Sequence, residues 1–314
     1  MLMFDAAEVA RRLPWGALIA ALDAMFRQGC AAPLRHRHAV ADTSLLLMPA
    51  WRAQGDKGGG YTGVKIVHVA PGNAARGQPA VNAVYLLSDA ETGAPRAMLD
   101  GGMLTDRRTA ATSVLAARHL ARPDASRLLL MGSGRVAHAL AEAYRDQFPI
   151  TDIAIWSPRH ERAAALAARL AEHGHPARAV ARPEPGQACI IACATLATAP
   201  LIRGAELPPG VHLDLVGAYR PDMAEADGAA LARARLVVDT RAGAFAEAGD
   251  LLQAIAEGAI TQGHVVAELA ELCRGEIAGR EAAGQITAFK SVGWAGEDLA
   301  AAILACGADQ SVMR

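Results

Sequence analysis

A lysine, two arginines and one glycine turn are the residues whose type and spacing point to chemistry. Lys65 lies inside the apolar run Thr62-Gly63-Val64-Lys65-Ile66-Val67. A lysine in a strand interior is unusual, because a buried ammonium needs a partner. Arg107 and Arg108 follow Thr105-Asp106 at the expected start of a helix. That is the wrong end of the helix dipole for a cation, so an anionic partner or ligand is expected, with Asp106 able to offset one of the two. Phe289-Lys290-Ser291-Val292-Gly293-Trp294 joins a strand pattern to a helix pattern, and its serine and glycine suit close backbone approach to a ligand.

The glycine turn is Gly132-Ser133-Gly134-Arg135-Val136-Ala137, directly after the apolar run Leu128 to Met131 and at the start of a helical pattern. This is the setting that G-x-G-x-x-G/A requires of a dinucleotide site. Gly132 permits the tight turn, Gly134 lets a pyrophosphate approach the backbone, and Ala137 lets the helix pack on the strand. The first-turn residues Ser133, Arg135 and Val136 then offer backbone N–H groups to phosphate. An NAD site usually ends its second strand with an acidic residue for the ribose 2′-OH. Here that strand runs into Ile155-Trp156-Ser157-Pro158-Arg159-His160, without a carboxylate. Ser157 and Arg159 instead suit a 2′-phosphate, so the pattern favours NADP(H) and leaves NAD(H) as the alternative.

The elements that must position these groups are legible in outline. Residues 5 to 29 read as a helix with Pro14 at a turn or kink, and 39 to 50 as a weak strand ending at Pro49. Gly55 to Gly60 reads as a flexible loop. Strands follow over Thr62–Val69, Val81–Ser88 and Arg96–Asp100, then a helix over Thr105–His119. After Pro123 strand patterns alternate with helix patterns: 127–131, 152–156, 177–180, 188–192, 211–216 and 235–239. Alternation of this kind predicts a parallel, doubly wound sheet. Ile286–Ser291 reads as a further strand and Gly296–Cys306 as a last Ala-rich helix. The fold class expected is α/β: a Rossmann domain over 119–295, plus an α+β domain from 1–118 and 296–314.

Composition narrows the partners. The chain has 314 residues, 52% hydrophobic and 4% aromatic, with 31 basic against 32 acidic side chains. Near-neutral charge argues against a nucleic-acid binder. The apolar runs are strand-length and fall short of the ~20 residues of a membrane span. Five scattered cysteines, an odd number, read as buried thiols of a cytoplasmic protein, with no metal set among them.

Taken together, these segments resemble the ornithine cyclodeaminase/μ-crystallin family. The likeness runs through Gly63-Val64-Lys65-Ile66-Val67, Pro71-Gly72-Asn73, Leu99-Asp100-Gly101, Leu104-Thr105 with Arg108-Thr109-Ala110-Ala111, Gly132-Ser133-Gly134, Ala194-Thr195, Gly217-Ala218 with Arg220-Pro221-Asp222, and Phe289-Lys290-Ser291-Val292-Gly293. The resemblance implies a homodimer with a Rossmann domain and a second, substrate-binding and dimerising domain. It implies a nicotinamide cofactor and a small α-imino or α-amino acid substrate. Lys65 matches the family's catalytic-site lysine and Arg108 its carboxylate-binding arginine. Thr195 and Ser291 fall where family members line the nicotinamide end, and Gly217 is a further cofactor-binding position.

One departure bears on the reaction. Family cyclodeaminases carry a catalytic aspartate two residues after the glycine matching Gly217, where this chain has Tyr219. Tyr219 is read as a wall or proton donor of an altered site, and Asp222 as an acid able to reach inward. The expectation is reduction of a cyclic ketimine such as pyrroline-2-carboxylate. The alternatives are ornithine cyclodeamination, an alanine-dehydrogenase-like reaction, and a non-enzymatic NADP(H)- and ligand-binding role.

Overall fold

The computed structural model describes residues 1–53 and 60–307. Most of the expected flexible loop, residues 55–59, lies outside that range. The chain divides into two compact units, Met1–Thr109 with the chain from Trp294, and Ala110–Gly293. The first strand, β1 (Leu2–Phe4), leads into α1 (Ala6–Arg12) and α2 (Trp15–Gln28). The single helix expected over 5–29 is therefore two. Pro14 disfavours the helical conformation at Leu13, which stands at φ −115° and ψ 61°, and itself becomes the N-cap of α2.

Four antiparallel strands follow, β2 (His36–Val40), β3 (Thr43–Arg52), β4 (Tyr61–Val69) and β5 (Val81–Asp89), then β6 (Pro95–Asp100). They form one sheet in the order β1-β6-β5-β4-β3-β2, with β1 parallel to β6. The single strand expected over 39–50 is split by a turn at Ala41-Asp42 into β2 and β3, and β3 runs through Pro49 to Arg52. Pairing with β2 ends at Leu47, so Pro49 stands beyond that ladder, where its missing N–H is tolerated. β3 and β4 alternate strictly: Leu46, Met48 and Ala50, with Gly63, Lys65 and Val67, face inward and are buried.

The helix α3 (Gly101–Leu120) begins four residues before the expected Thr105. The glycines at 101 and 102 suggest a break, but the Asp100 carboxylate accepts the Met103 N–H at 2.6 Å and caps the helix. Arg107 and Arg108 consequently lie in its second turn, away from the N-terminal dipole end.

The second unit continues with β7 (Arg127–Met131), α4 (Arg135–Gln147), β8 (Asp152–Trp156), α5 (His160–Glu172), β9 (Ala177–Ala179), β10 (Ile190–Cys193) and β11 (His212–Leu215). Then come α6 (Gly228–Arg233), β12 (Arg235–Val238), α7 (Arg241–Glu247), α8 (Gly249–Ala256), β13 (Val265–Glu268), α9 (Leu269–Arg274) and β14 (Thr287–Lys290). These strands form an all-parallel sheet in the order β13-β12-β14-β11-β10-β7-β8-β9. β10, β11 and β14 are buried throughout, as a parallel sheet covered on both faces requires. This is the expected Rossmann-like class. β13, four residues long and irregularly paired with β12, has too short a pattern to read from sequence. The chain then returns to the first unit as α10 (Ala295–Gly307), which packs on β3, β4, β5 and α2. Among the described residues, no helix is long and apolar enough to cross a membrane.

Candidate active site

In the first unit, alternation along β4 turns Lys65 inward, onto the sheet face that α10 covers. Its Nζ donates to Asp298 Oδ1 of α10 at 2.9 Å, and both side chains are fully buried. Arg108 donates through Nε to the same oxygen at 3.0 Å, and through Nη1 to Glu297 Oε2. Two cations thus converge on one carboxylate oxygen. Burial pushes the Lys65 ammonium down, the Arg108 charge pushes it further, and Asp298 pulls back only part of the way, to about 8. Burial works against the Asp298 carboxylate, but Arg108 and Lys65 hold it below its ordinary range. Gly63, two residues from Lys65, has a steric reason: a Cβ there would lie 2.1 Å from the Tyr85 hydroxyl.

The two arginines part company. Arg108 finds the anionic partners that its placement suggested. Arg107 instead donates to the carbonyls of Ala10 and Leu13 and lies 3.9 Å over the Trp15 ring, closing the C-terminus of α1. It is a structural cap.

In the second unit, the order of strands reverses beside β7: β8 and β9 extend the sheet on one side, and β10 starts the other. That switch point is where a doubly wound sheet opens a ligand crevice at its carboxyl ends. Gly132 sits there at φ +119°, and a Cβ on it would lie 2.5 Å from the Ala194 carbonyl oxygen. Its N–H donates to Trp156 O at 2.8 Å. Gly134 is the N-cap of α4 and no side chain closes that helix start. Among the described residues, nothing beyond the turn's own neighbouring residues lies within 4 Å of where a Gly134 Cβ would stand, which leaves a cradle for a phosphate over the first turn, Arg135 and Val136. Ala137 is fully buried against the sheet. The residues present therefore fit a dinucleotide.

Beyond the turn, Ser133 Oγ donates to Ser157 Oγ at 3.2 Å, tying the turn to the end of β8. Arg159 is exposed at the N-cap of α5. Ser291 is buried, and its N–H donates to Leu215 O at 3.1 Å. Thr195 and Gly217, which follow β10 and β11, are brought together by a residue the sequence reading missed. Glu225 Oε1 accepts from Thr195 N at 2.7 Å and Thr195 Oγ1 at 2.8 Å, and Oε2 accepts from Gly217 N at 2.6 Å. Glu225 and Ala226 in turn donate their N–H groups to Asp250 Oδ1, at 2.6 and 3.0 Å. Asp250 Oδ2 faces Lys290 Nζ at 3.0 Å, and all three ionisable side chains are buried. Burial pushes the Glu225 carboxyl above its ordinary range, with Lys290 pulling against it. A carboxylate flanked by small apolar residues, as in Ala224-Glu225-Ala226 and Gly249-Asp250-Leu251, is the signal that could have found both acids.

Two expected catalytic residues behave differently from Lys65 and Arg108. Tyr219 is half-buried and packs against the apolar core beside β11. Asp222 does not reach inward. It is 63% exposed and bidentate with Arg220, both contacts at 2.9 Å. The adjacent arginine supplies at the surface what burial would have had to supply inside.

The family profile described as ornithine cyclodeaminase/mu-crystallin matches residues 2–306. A Delta(1)-pyrroline-2-carboxylate reductase of Paracoccus denitrificans is 41% identical over 251 residues, covering 77% of this chain and 78% of that protein. The Thermococcus litoralis Delta(1)-pyrroline-2-carboxylate reductase, solved with NADH and L-proline, superposes with a TM-score of 0.93 at 30% identity, over 99% of this chain and 98% of that one. An archaeal alanine dehydrogenase dimer with bound NAD superposes with a TM-score of 0.90 at 28% identity, over 99% and 96%. The buried lysine, the glycine turn and these likenesses agree: the chain belongs to the ornithine cyclodeaminase/mu-crystallin family.

Proposed function

We propose that the protein is a nicotinamide-dependent reductase of a small cyclic α-imino acid, with pyrroline-2-carboxylate as the substrate and proline as the product. The observation that carries this reading is Lys65, a lysine hydrogen-bonded to Asp298 and pushed down to about 8 by burial first and by the Arg108 charge second. Such a group holds its proton at neutral pH and gives it up readily, as a general acid should. When bound, the reduced nicotinamide supplies the hydride for the imine carbon. Lys65 Nζ delivers the proton that the imine nitrogen keeps. Arg108, its guanidinium held by Asp298 and Glu297, and Lys65 orient the substrate carboxylate. Tyr219 in place of an acid leaves no carboxylate there for the proton shuttling that loss of ammonia would need, and this favours reduction over cyclodeamination.

Gly132, Ser133, Gly134 and Ala137 hold the pyrophosphate in this reading, and Thr195, Gly217 and Ser291 flank the nicotinamide. The absence of an acid after β8 and the exposed Arg159 support NADP(H) over NAD(H). Homodimerisation is supported by the outward face of the first-unit sheet. Leu45, Leu47, Pro49 and Trp51 of β3, Val64 and Ile66 of β4, and Val84 and Leu86 of β5 are apolar and not buried, with Trp51 43% and Val84 41% exposed. An apolar strand face of this extent suits a second copy of the chain. The scattered free cysteines support a cytoplasmic location.

The test follows absorbance of the reduced nicotinamide, with NADH and NADPH each offered pyrroline-2-carboxylate, its six-membered homologue, or pyruvate with ammonia. Ornithine is assayed separately for ammonia release. Turnover of the cyclic imines is expected. Proline and ammonia from ornithine without net cofactor turnover would replace this reading with cyclodeamination.

A further inference from the structure

We infer that Glu225 is a positioning residue for the dinucleotide site, a clasp that holds the loops leaving β10 and β11 in register. The inference rests on the cofactor reading above. β10 and β11 are adjacent parallel strands, with Cys193 beside Leu215, and past those residues the ladder ends. Two loops leave at the carboxyl end of a doubly wound sheet, where a dinucleotide binds. Their backbone N–H groups at Thr195 and Gly217 need an acceptor that no neighbouring strand supplies. Glu225 supplies it with both carboxylate oxygens, and the Thr195 hydroxyl adds a third donor.

The geometry leaves no slack. A Cβ on Gly217 would lie 2.1 Å from Thr195 O and 2.3 Å from Glu225 Oε1, so the three groups are packed to contact. Thr195 in turn stands beside the glycine turn, its Cγ2 3.6 Å from where a Gly132 Cβ would be. Displacing the clasp therefore displaces the wall of the phosphate turn. Glu225 is itself anchored: its N–H is held by Asp250, which Lys290 holds from the end of β14. Its carbonyl accepts from Leu201 and Ile202, both at 2.9 Å. A carboxylate rather than an amide is required, because all three groups around it donate.

Glu225→Gln keeps the shape but turns an NH2 toward a backbone N–H. The expected result is a dissociation constant for NADPH raised about tenfold, read by fluorescence titration, with the KM for pyrroline-2-carboxylate at saturating NADPH within about twofold of wild type. A purely structural role would lower the active fraction and kcat while leaving the affinity of the folded molecules unchanged. A folded Glu225→Gln that binds NADPH as wild type does overturns the inference. Should that variant not fold, Thr195→Val and Thr195→Ser decide. Loss of the hydroxyl donor is expected to weaken NADPH about fivefold and its retention to restore binding to within about twofold. Equal affinities of the two overturn the clasp. Wild-type protein that binds neither NADH nor NADPH overturns the cofactor reading and the clasp with it, whereas wild-type binding with insensitive variants overturns the clasp alone.

Discussion

In the first unit, Lys65 and Arg108 both point at one oxygen of Asp298; in the second, one oxygen of Asp250 takes two backbone N–H groups and the other faces Lys290. Each unit buries a lysine against an aspartate, but the company differs. Around Asp298 the second donor is another cation, and like charge at short range drives the Lys65 proton off more easily. Around Asp250 and Glu225 most donors are peptide groups and a hydroxyl, which hold geometry and exchange no proton near neutrality. The first arrangement suits proton delivery and the second suits fixing loops. A buried ion pair is thus not one kind of object: its neighbours decide whether it reacts or positions.

The comparison can be broken most directly by removing each aspartate. Asp298→Asn leaves the buried Lys65 without its anion and Arg108 with Glu297 alone of its two acids, and denaturant titration should show a loss of about 3–5 kcal/mol. Asp250→Asn leaves Lys290 with the Glu225 charge still near it, so its loss should be smaller. Equal losses would mean that the company of the acid does not matter. Next in size, Lys65→Ala should lower kcat/KM for imine reduction by at least ~10²-fold. A near-wild-type rate would remove Lys65 from proton delivery.

The pH profile sharpens the same contrast. The folded Lys65 titrates at about 8 against an ordinary 10.5, so the rate of imine reduction should fall as pH rises through about 8. The stability term has the opposite sign. Between those two values the unfolded chain holds a proton that the folded one has released, so the Lys65 contribution to stability rises with pH across that window. A profile flat through it would contradict the lowering of Lys65 by burial and by Arg108. Smaller still, Arg159→Asp should lower the ratio of kcat/KM with NADPH to that with NADH by about tenfold. The least effect is expected of Arg107→Met. It removes the cap on α1, costs about 1 kcal/mol in thermal unfolding, and leaves turnover unchanged.

What was legible in the chain is what depends on neighbours in sequence. The glycine turn, the strand–helix alternation after Pro123 and the odd lysine at 65 each carry a local signature, because strand period, turn conformation and helix starts are set within a few residues. Local signals also misled. Gly101 and Gly102 hid the true start of α3, since a single Asp100 cap outweighs two poor helix formers. Pro49 suggested a strand end because nothing local shows that β2 stops at Leu47. Asp222 looked available inward, but its surface pairing with Arg220 competes with that role.

The amino-acid sequence by itself determined the fold class, the glycine turn and the two basic residues of the first unit, since each follows from local periodicity or from a motif with its own stereochemistry. Only the tertiary structure decided who answers those cations and who holds the loops after β10 and β11. Lys65 meets Asp298 across 233 residues, Arg108 meets Glu297 across 189, and Thr195 meets Glu225 across 30. The physical reason is burial. An acid earns a partner by being taken out of water, and which acids are taken out of water is settled by how β4 and α10, or β10, β11 and α8, pack, not by the residues beside them in the chain.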